Sequence, residues 1–515
     1  MRTEVEEVFG PGTQPIVSTE HVEEITADIA IIGSGMGGAT AAYALRNSGS
    51  RVLVLEQGDF LPHERENWSA RALHVERRYA NSDHWIDVDG KPFAPASYHY
   101  VGGCTKFYGA ALTRFRERDF DELEHRDGVS PAWPISYRDL EPWYVEAERL
   151  FWVHGGAGDP TEPWRSEPFP FPPIPHEPAI ARLSQRLAAQ GLKPFPLPQS
   201  IDWRTGGRCV RCRTCDSFPC LLDAKGDAEI CAMRPALASD NVRLCHRTKV
   251  VRVVLGCDGK IDHLYAVRDG KTLRIAAERF VLAAGAVNSA ALLLRSGGLA
   301  NSSDQVGRNY MAHNCSFVVA TRLGRDLEIE FEKTMGLNDW YFAGDENDFP
   351  LGNVQSLGKV QGVMIKAERP WIPLGVLEWI SRRTVDFFAE TEDLPDPENR
   401  IVIDADDRIH LIRQANNLKS HEELVQRLRK ALRRAGFPLI FADQVGTDDT
   451  THQCGTLRMG LDPGSSVVDP FGRSHDIENL WIVDAGVFPS SAATNPSLTI
   501  AANSLRVVAE GGLAG

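Results

Sequence analysis

The sequence predicts an α/β protein, α+β when the whole chain is counted: a Rossmann-like parallel-sheet domain joined to a discontinuous second domain built around an antiparallel sheet. Three observations predict it. A compact strand–glycine loop–helix–strand unit opens the ordered part of the chain. Apolar strands ending in a glycine or an acid return far downstream. Between them lie long stretches of alternating apolar and polar residues. The 515 residues, 43% hydrophobic and 24% charged, are those of an ordinary globular chain of two to four domains, or of one large nucleotide domain carrying insertions.

The elements follow in order. The first 25 residues read as an irregular lead-in. Asp28–Ile32 is a short apolar run suited to a buried parallel strand. It runs into Gly33-Ser34-Gly35-Met36-Gly37-Gly38, then an alanine-rich helix over 39–46, then a strand over 51–55 that ends at Glu56. The spacing G-x-G-x-x-G at Gly33, Gly35 and Gly38 is the dinucleotide fingerprint. The first glycine makes the turn, the second lets backbone approach a pyrophosphate, and the third lets helix and strand pack closely. Met36 and Gly37 complete the loop, and the helix N-terminus offers free N–H groups to phosphate. An acid such as Glu56, closing the second strand, holds ribose hydroxyls. This fingerprint alone does not separate FAD from NAD.

Residues 67–80 read as helical, 100–109 as a glycine-rich loop pressed against something, and Ser136–Trp152 as a helix. Val242–Gly256 and Lys271–Gly285 read as strands of a meander. Residues 315–415 read as strands of the second domain, His421–Ala435 as an amphipathic helix, and Leu498–Ala509 as a final helix. The strand ending at Gly285 and the strand Asn479–Asp484 both suit the first sheet, returned to after long insertions. A cofactor held by pieces of the whole chain is a flavoprotein habit.

Composition excludes some classes. A formal charge of −14 argues against nucleic acid and against anionic membranes. The most apolar stretch, Phe280–Leu294, is too short to span a bilayer, and the acidic N-terminus lacks a signal core, so a cytoplasmic location is expected. Ten cysteines in this context are thiols or ligands rather than a disulfide framework. Cys209, Cys212, Cys215 and Cys220 give C-x2-C-x2-C-x4-C, close to iron–sulfur spacing and able to wrap a zinc. The alternative is a structural loop of thiols or one disulfide. The basic flanks and the absence of proline after the fourth cysteine favour the reading without metal.

Four motifs together resemble the glucose-methanol-choline (GMC) oxidoreductases: GSGMGG with Glu56, VGGCTKFYGAALTRF at 101–115, VLAAGAVNSAALLLRSG at 281–297, and HQCGTLRMG at 452–460 joined to VDAGVFPSSAATNPSLTI at 483–500. The His452…Asn495 pair is similar to that of pyranose 2-oxidases, and the TKFYGAAL segment resembles bacterial C-glycoside 3-oxidases. The resemblance implies an FAD domain formed by 25–115, 205–312 and 455–515, and a substrate domain formed by 116–204 and 313–454. It implies FAD contacts from Gly33, Gly35, Met36, Gly37, Gly38, Glu56, Gly102, Gly103, Val250, Gly285, Asp484, Ala485, Asn495 and Pro496.

It also implies the chemistry. A sugar or glycoside secondary alcohol, at C3 or C2, loses a hydride to flavin N5 and a proton to His452, while Asn495 steadies the developing alkoxide. Reoxidation by O2 gives hydrogen peroxide. The alternatives are a dehydrogenase using another acceptor, a hydroxynitrile lyase, and a non-catalytic binding module, against which the His452–Asn495 pair speaks. Fungal pyranose 2-oxidases attach FAD to a histidine; the matching position here is Phe107, so the FAD is expected to be non-covalent. Which sugar is taken, and the oligomeric state, are not specified by these motifs.

Overall fold

The structure, a computed structural model, describes residues 23–345 and 348–514. The expected lead-in therefore lies almost entirely outside the described residues. Its last part differs from expectation, because Glu23–Thr26 form a strand parallel to Lys271–Ala276, tied there by an ion pair between Glu24 and Arg274.

A five-stranded parallel sheet is the centre of the molecule. Its order is Val242–Cys245, Val52–Leu55, Ile29–Ile32, Arg279–Leu282, Leu480–Ile482. The inner strands are buried on both faces, which is why they read as continuous apolar runs rather than alternating ones. The helix Met36–Leu45 starts at Gly35 and packs on the last helix, Ser497–Glu510, where the Ser504 hydroxyl donates to the Gly37 carbonyl at 2.8 Å. That packing is close: a Cβ on Gly38 would stand 2.0 Å from the Gly33 carbonyl oxygen, and one on Gly37 2.2 Å from that of Val483.

The meander divides between two sheets. Thr248–Leu255, Ile261–Arg268 and Lys271–Ala276 pair antiparallel in a four-stranded sheet, while Val242–Cys245 and Arg279–Leu282 peel away into the parallel one. Asp269 and Gly270, both at positive φ, close a two-residue hairpin. Residues 67–80, expected as one helix, form only short turns at Arg65–Trp68 and Arg71–Val75. The helix expected after Ser136 runs Tyr137–Leu150. The Ser136 side chain accepts from the Asp139 N–H, and Asp139 accepts back from the Ser136 N–H.

A six-stranded antiparallel sheet forms the second layer. Its order is Leu439–Gln444, Asn314–Thr321, Thr384–Thr391, Asn353–Ser356, Met335–Leu337, Phe195–Pro196. One face is covered by the helix Leu418–Arg434, whose Leu424, Leu428 and Leu432 pack on Val318, Val385 and Phe387. The other face looks toward the parallel sheet across a cavity. Phe120, Trp133, Tyr137 and Tyr144, from the segment after residue 115, pack into the same apolar core as the parallel sheet. Among the described residues no helix is long and apolar enough to cross a membrane.

Candidate active site

The carboxyl ends of the parallel strands and the open face of the antiparallel sheet enclose a cavity of about 1810 Å3. That exceeds the roughly 300–1,000 Å3 of a drug-sized site and suits a dinucleotide with a second molecule beside it. Gly33, Gly35, Met36, Gly37, Glu56, Gly103, Val250, Gly285, Asp484, Ala485, Asn495 and Pro496 all line it. Gly38 and Gly102 do not. Gly38 lies beneath the turn, and Gly102, at φ +94°, donates its N–H to the Ser34 hydroxyl at 3.3 Å.

The residues fit a dinucleotide. Gly35 precedes a helix that has no side-chain cap, and a Cβ there would meet nothing within 4 Å, so free N–H groups face open space. Glu56 is buried, which pushes its carboxyl up. Its oxygens accept from the Ser34 hydroxyl at 2.7 Å and the Gly58 N–H at 2.8 Å, and this fixes it at the end of its strand. Asp484 plays the matching part on the last strand. Burial raises it, while Ser289, Gly486 and Gly285 all donate to it.

Toward the antiparallel sheet the cavity holds a polar cluster. His452 Nε2 lies 3.4 Å from Asn495 Nδ2, and His452 Nδ1 lies 3.1 Å from Glu390 Oε1. Gln355 donates both to Glu390 Oε2, at 2.8 Å, and to Asn495 Oδ1, at 3.0 Å, so it ties the carboxylate to the amide. His313 sits behind. Its Nδ1 is 3.0 Å from His452 Nδ1, and its Nε2 donates to the Ser491 carbonyl at 3.1 Å.

These contacts decide a tautomer. Only one of two Nδ1 atoms that face each other at 3.0 Å can carry a proton. Glu390 Oε1, which accepts only, lies nearer His452 Nδ1 (3.1 Å) than His313 Nδ1 (3.7 Å), and His313 Nε2 already donates to Ser491; the assignment that meets all of these contacts puts the proton on His452 Nδ1 and leaves Nε2 a lone pair turned toward Asn495 and the cavity. Burial pushes His452 down, against the pull of Glu390, so it is neutral at pH 7. Burial opposes ionisation of Glu390 too, but the two imidazoles hold its carboxyl well below the usual range. His452 itself is held at φ +59°, a sparsely populated conformation that its neighbours maintain.

Glu390, His313 and Gln355 were not anticipated from the sequence. The cue for Glu390 was a break in apolar alternation in TVDFFAET, where Asp386 and Glu390 interrupt a strand whose residues are nearly all buried. His313, Glu390 and His452 are the one trio of His, Cys, Asp or Glu among the described residues whose ligand atoms lie within 4.8 Å of one another. The four cysteines at 209–220 form no such group among the described residues and no disulfide; burial pushes Cys209 up to about 11.

Comparison with known proteins gives the family. Residues 31–315 match the N-terminal and residues 391–504 the C-terminal GMC oxidoreductase family model. The chain belongs to the GMC oxidoreductases. It is 32% identical to 6'''-hydroxyparomomycin C oxidase of Streptomyces lividus, over 93% of this chain and 90% of that protein. To paromamine 6'-oxidase of Streptomyces fradiae it is 30% identical over the same shares. To the fructose dehydrogenase large subunit of Gluconobacter japonicus it is 27% identical, over 94% of this chain and 97% of that one. The solved pyridoxine 4-oxidase of Mesorbium loti shares the fold, with a TM-score of 0.68 and 19% identity over 94% of this chain and 98% of that one. As a GMC oxidoreductase the protein is an enzyme acting on CH–OH groups, and the family's cofactor is FAD.

Proposed function

We propose that this GMC oxidoreductase converts a secondary hydroxyl of a pyranose sugar or glycoside, at C2 or C3, to the ketone. Non-covalent FAD is the cofactor, and O2 is the acceptor that yields hydrogen peroxide. The observation that carries the reading is the placement of His452 in the cavity, its Nε2 3.4 Å from the Asn495 amide and its Nδ1 3.1 Å from the buried Glu390 carboxylate. FAD, when bound, supplies the hydride acceptor. The protein supplies the rest. His452 Nε2 takes the hydroxyl proton, and the Asn495 amide donates to the alkoxide as charge develops there. Glu390 and Gln355 hold both groups in register.

The residues assigned to FAD are the Gly33–Gly38 turn for the pyrophosphate, Glu56 for the ribose, and Gly103, Val250, Gly285, Asp484, Ala485 and Pro496 along the cavity wall. A sugar hydroxyl as the reacting group is supported by the aminoglycoside oxidases and the fructose dehydrogenase subunit among the relatives.

Phe107 supports dissociable FAD. Its ring stacks on Tyr98 with centroids 3.8 Å apart and packs among Tyr79 and Tyr100, so that position offers an apolar wall and no nucleophile. Acid precipitation of the holoenzyme is therefore expected to leave the flavin absorbance in the supernatant. Colour that stays in the pellet would show a covalent bond.

The reading as a whole is tested by anaerobic mixing with free pyranoses, O-glycosides, C-glycosides and simple aliphatic alcohols, followed by admission of oxygen. Bleaching by a pyranose ring and peroxide on reoxidation are expected. Bleaching by aliphatic alcohols alone would overturn the sugar assignment, and dye reduction without peroxide would overturn the oxygen assignment.

A further inference from the structure

The loop of four cysteines carries a residue the motifs did not single out. Asp216 follows Cys215 and reaches the wall of the cavity. There its Oδ2 accepts from Lys333 Nζ at 2.6 Å and from the Gly358 N–H at 3.2 Å. Lys333 lines the same wall, on the chain leading into Met335–Leu337. That strand pairs with Asn353–Ser356, which presents Gln355 beside Asn495. The ion pair thus shares one cavity with the His452–Asn495 pair, and the Lys333 charge is among those acting on His452.

The pair is built in. The Asp216 and Lys333 side chains are 14% and 5% exposed. Two glycines make room: a Cβ on Gly109 would stand 2.1 Å from Lys333 Nζ and 2.4 Å from Asp216 Oδ1, and a Cβ on Gly358 2.4 Å from Asp216 Cβ. Behind the loop, buried Lys225 donates to the carbonyls of Phe218, Tyr108 and Lys106, which clamps 209–220 against the segment after Gly103. Burial alone would raise Asp216, but the Lys333 ammonium holds it below the usual carboxylate range, so the carboxylate is charged. An ammonium has three donors, and one is used on Asp216. Among the described residues Lys333 Nζ makes no further hydrogen bond and Asp216 Oδ1 accepts none.

We propose that Asp216 and Lys333 form the hydroxyl-reading end of the substrate cavity, holding two adjacent hydroxyls of a neutral sugar away from the reacting carbon. The ammonium donates to one oxygen, and the carboxylate accepts from the other O–H. Because the pair is neutralised internally, it selects a neutral polyol over an aminosugar, whose ammonium would have to displace Lys333. This refines the proposed function and rests on it.

The test is anaerobic flavin reduction of the holoenzyme by a neutral pyranoside, its monodeoxy analogues, and the corresponding 2-amino sugar. Asp216→Asn and Lys333→Met are each expected to raise KM for the neutral pyranoside about tenfold or more, with a much smaller change in the limiting reduction rate. One deoxy analogue should be penalised by the wild type but not by the variant lacking its partner. Lys333→Met, which leaves the carboxylate uncompensated, should shift preference toward the aminosugar by at least tenfold. Gly109→Ala, whose Cβ displaces the pair without removing a charge, should raise KM as well and covers the case of a charge variant that fails to fold. Unchanged KM in Gly109→Ala and in the folded charge variants, or equal deoxy penalties in wild type and variant, would overturn the proposal while leaving the sugar reading intact. If no pyranoside bleaches the wild type, the proposed function falls and this inference with it.

Discussion

His452→Ala should slow flavin reduction by substrate about 10²–10⁴-fold, the range of a lost general base, while the protein still binds FAD. The loss follows from the tautomer: with Nε2 gone, Asn495 can orient the hydroxyl but nothing takes its proton. The wild type should lose activity only on an acidic limb lying below the ordinary histidine value of roughly 6.5, since burial lowers His452 and the neutral form is the active one. Glu390→Gln removes the charge that raises His452, so that limb should move further toward acid and the plateau rate should fall with the weaker base. Stopped-flow reduction between pH 4.5 and 9 reads both effects. Full-rate reduction by His452→Ala, or an alkaline shift in Glu390→Gln, would refute the assignment.

The largest effect on stability is expected at Arg114. Arg114 is 2% exposed, and its guanidinium sends a two-pronged contact to Glu148 at 2.9 Å on each arm. It also contacts Glu141 at 3.0 Å and the Tyr137 hydroxyl at 2.9 Å. All three partners lie on the helix Tyr137–Leu150, whose Tyr144 hydroxyl meets Thr499 of the last helix at 2.7 Å. Arg114→Met leaves Glu141 buried without its guanidinium and Glu148 with only Arg165. The expected cost is about 3–5 kcal/mol, seen as a lower midpoint in denaturant unfolding of the holoenzyme. Arg114→Lys keeps the charge but not the fork and should fall between the two. A Met variant within about 1 kcal/mol of wild type would show the network to be dispensable.

The legible part of this molecule was the part whose chemistry is local in sequence. The Gly33–Gly38 turn, Glu56 and the flanking strands form one unit of 30 residues or so, because a phosphate-binding turn needs its glycines at fixed offsets. His452 and Asn495 were reached through family motifs. Glu390, His313 and Gln355 carry no such local signature. They meet only because Asn314–Thr321, Thr384–Thr391 and Asn353–Ser356 lie side by side in the antiparallel sheet, and strand pairing over long separations leaves no spacing rule to read. Lys333 and Asp216 were hidden the same way, Asp216 inside a cysteine pattern that drew attention to its sulfurs. The single helix expected at 67–80 failed for another reason: its apolar spacing is weak, and the backbone leaves helical geometry at Ser69, which is extended, and again at Arg77, at φ +51°.

The contact between Gly37 and Ser504 joins positions 467 residues apart. At about 5–20 residues per second, a ribosome needs tens of seconds to make the chain between them. Through that interval the first strands and the alanine-rich helix have emerged, yet the edge strand and the helix that cover them have not. Loop-closure entropy is met late, and apolar surface waits uncovered. The cofactor pocket is therefore a product of the finished chain rather than of its opening fold, and the yield of holoenzyme should depend on what shields the nascent N-terminal third as much as on the supply of FAD.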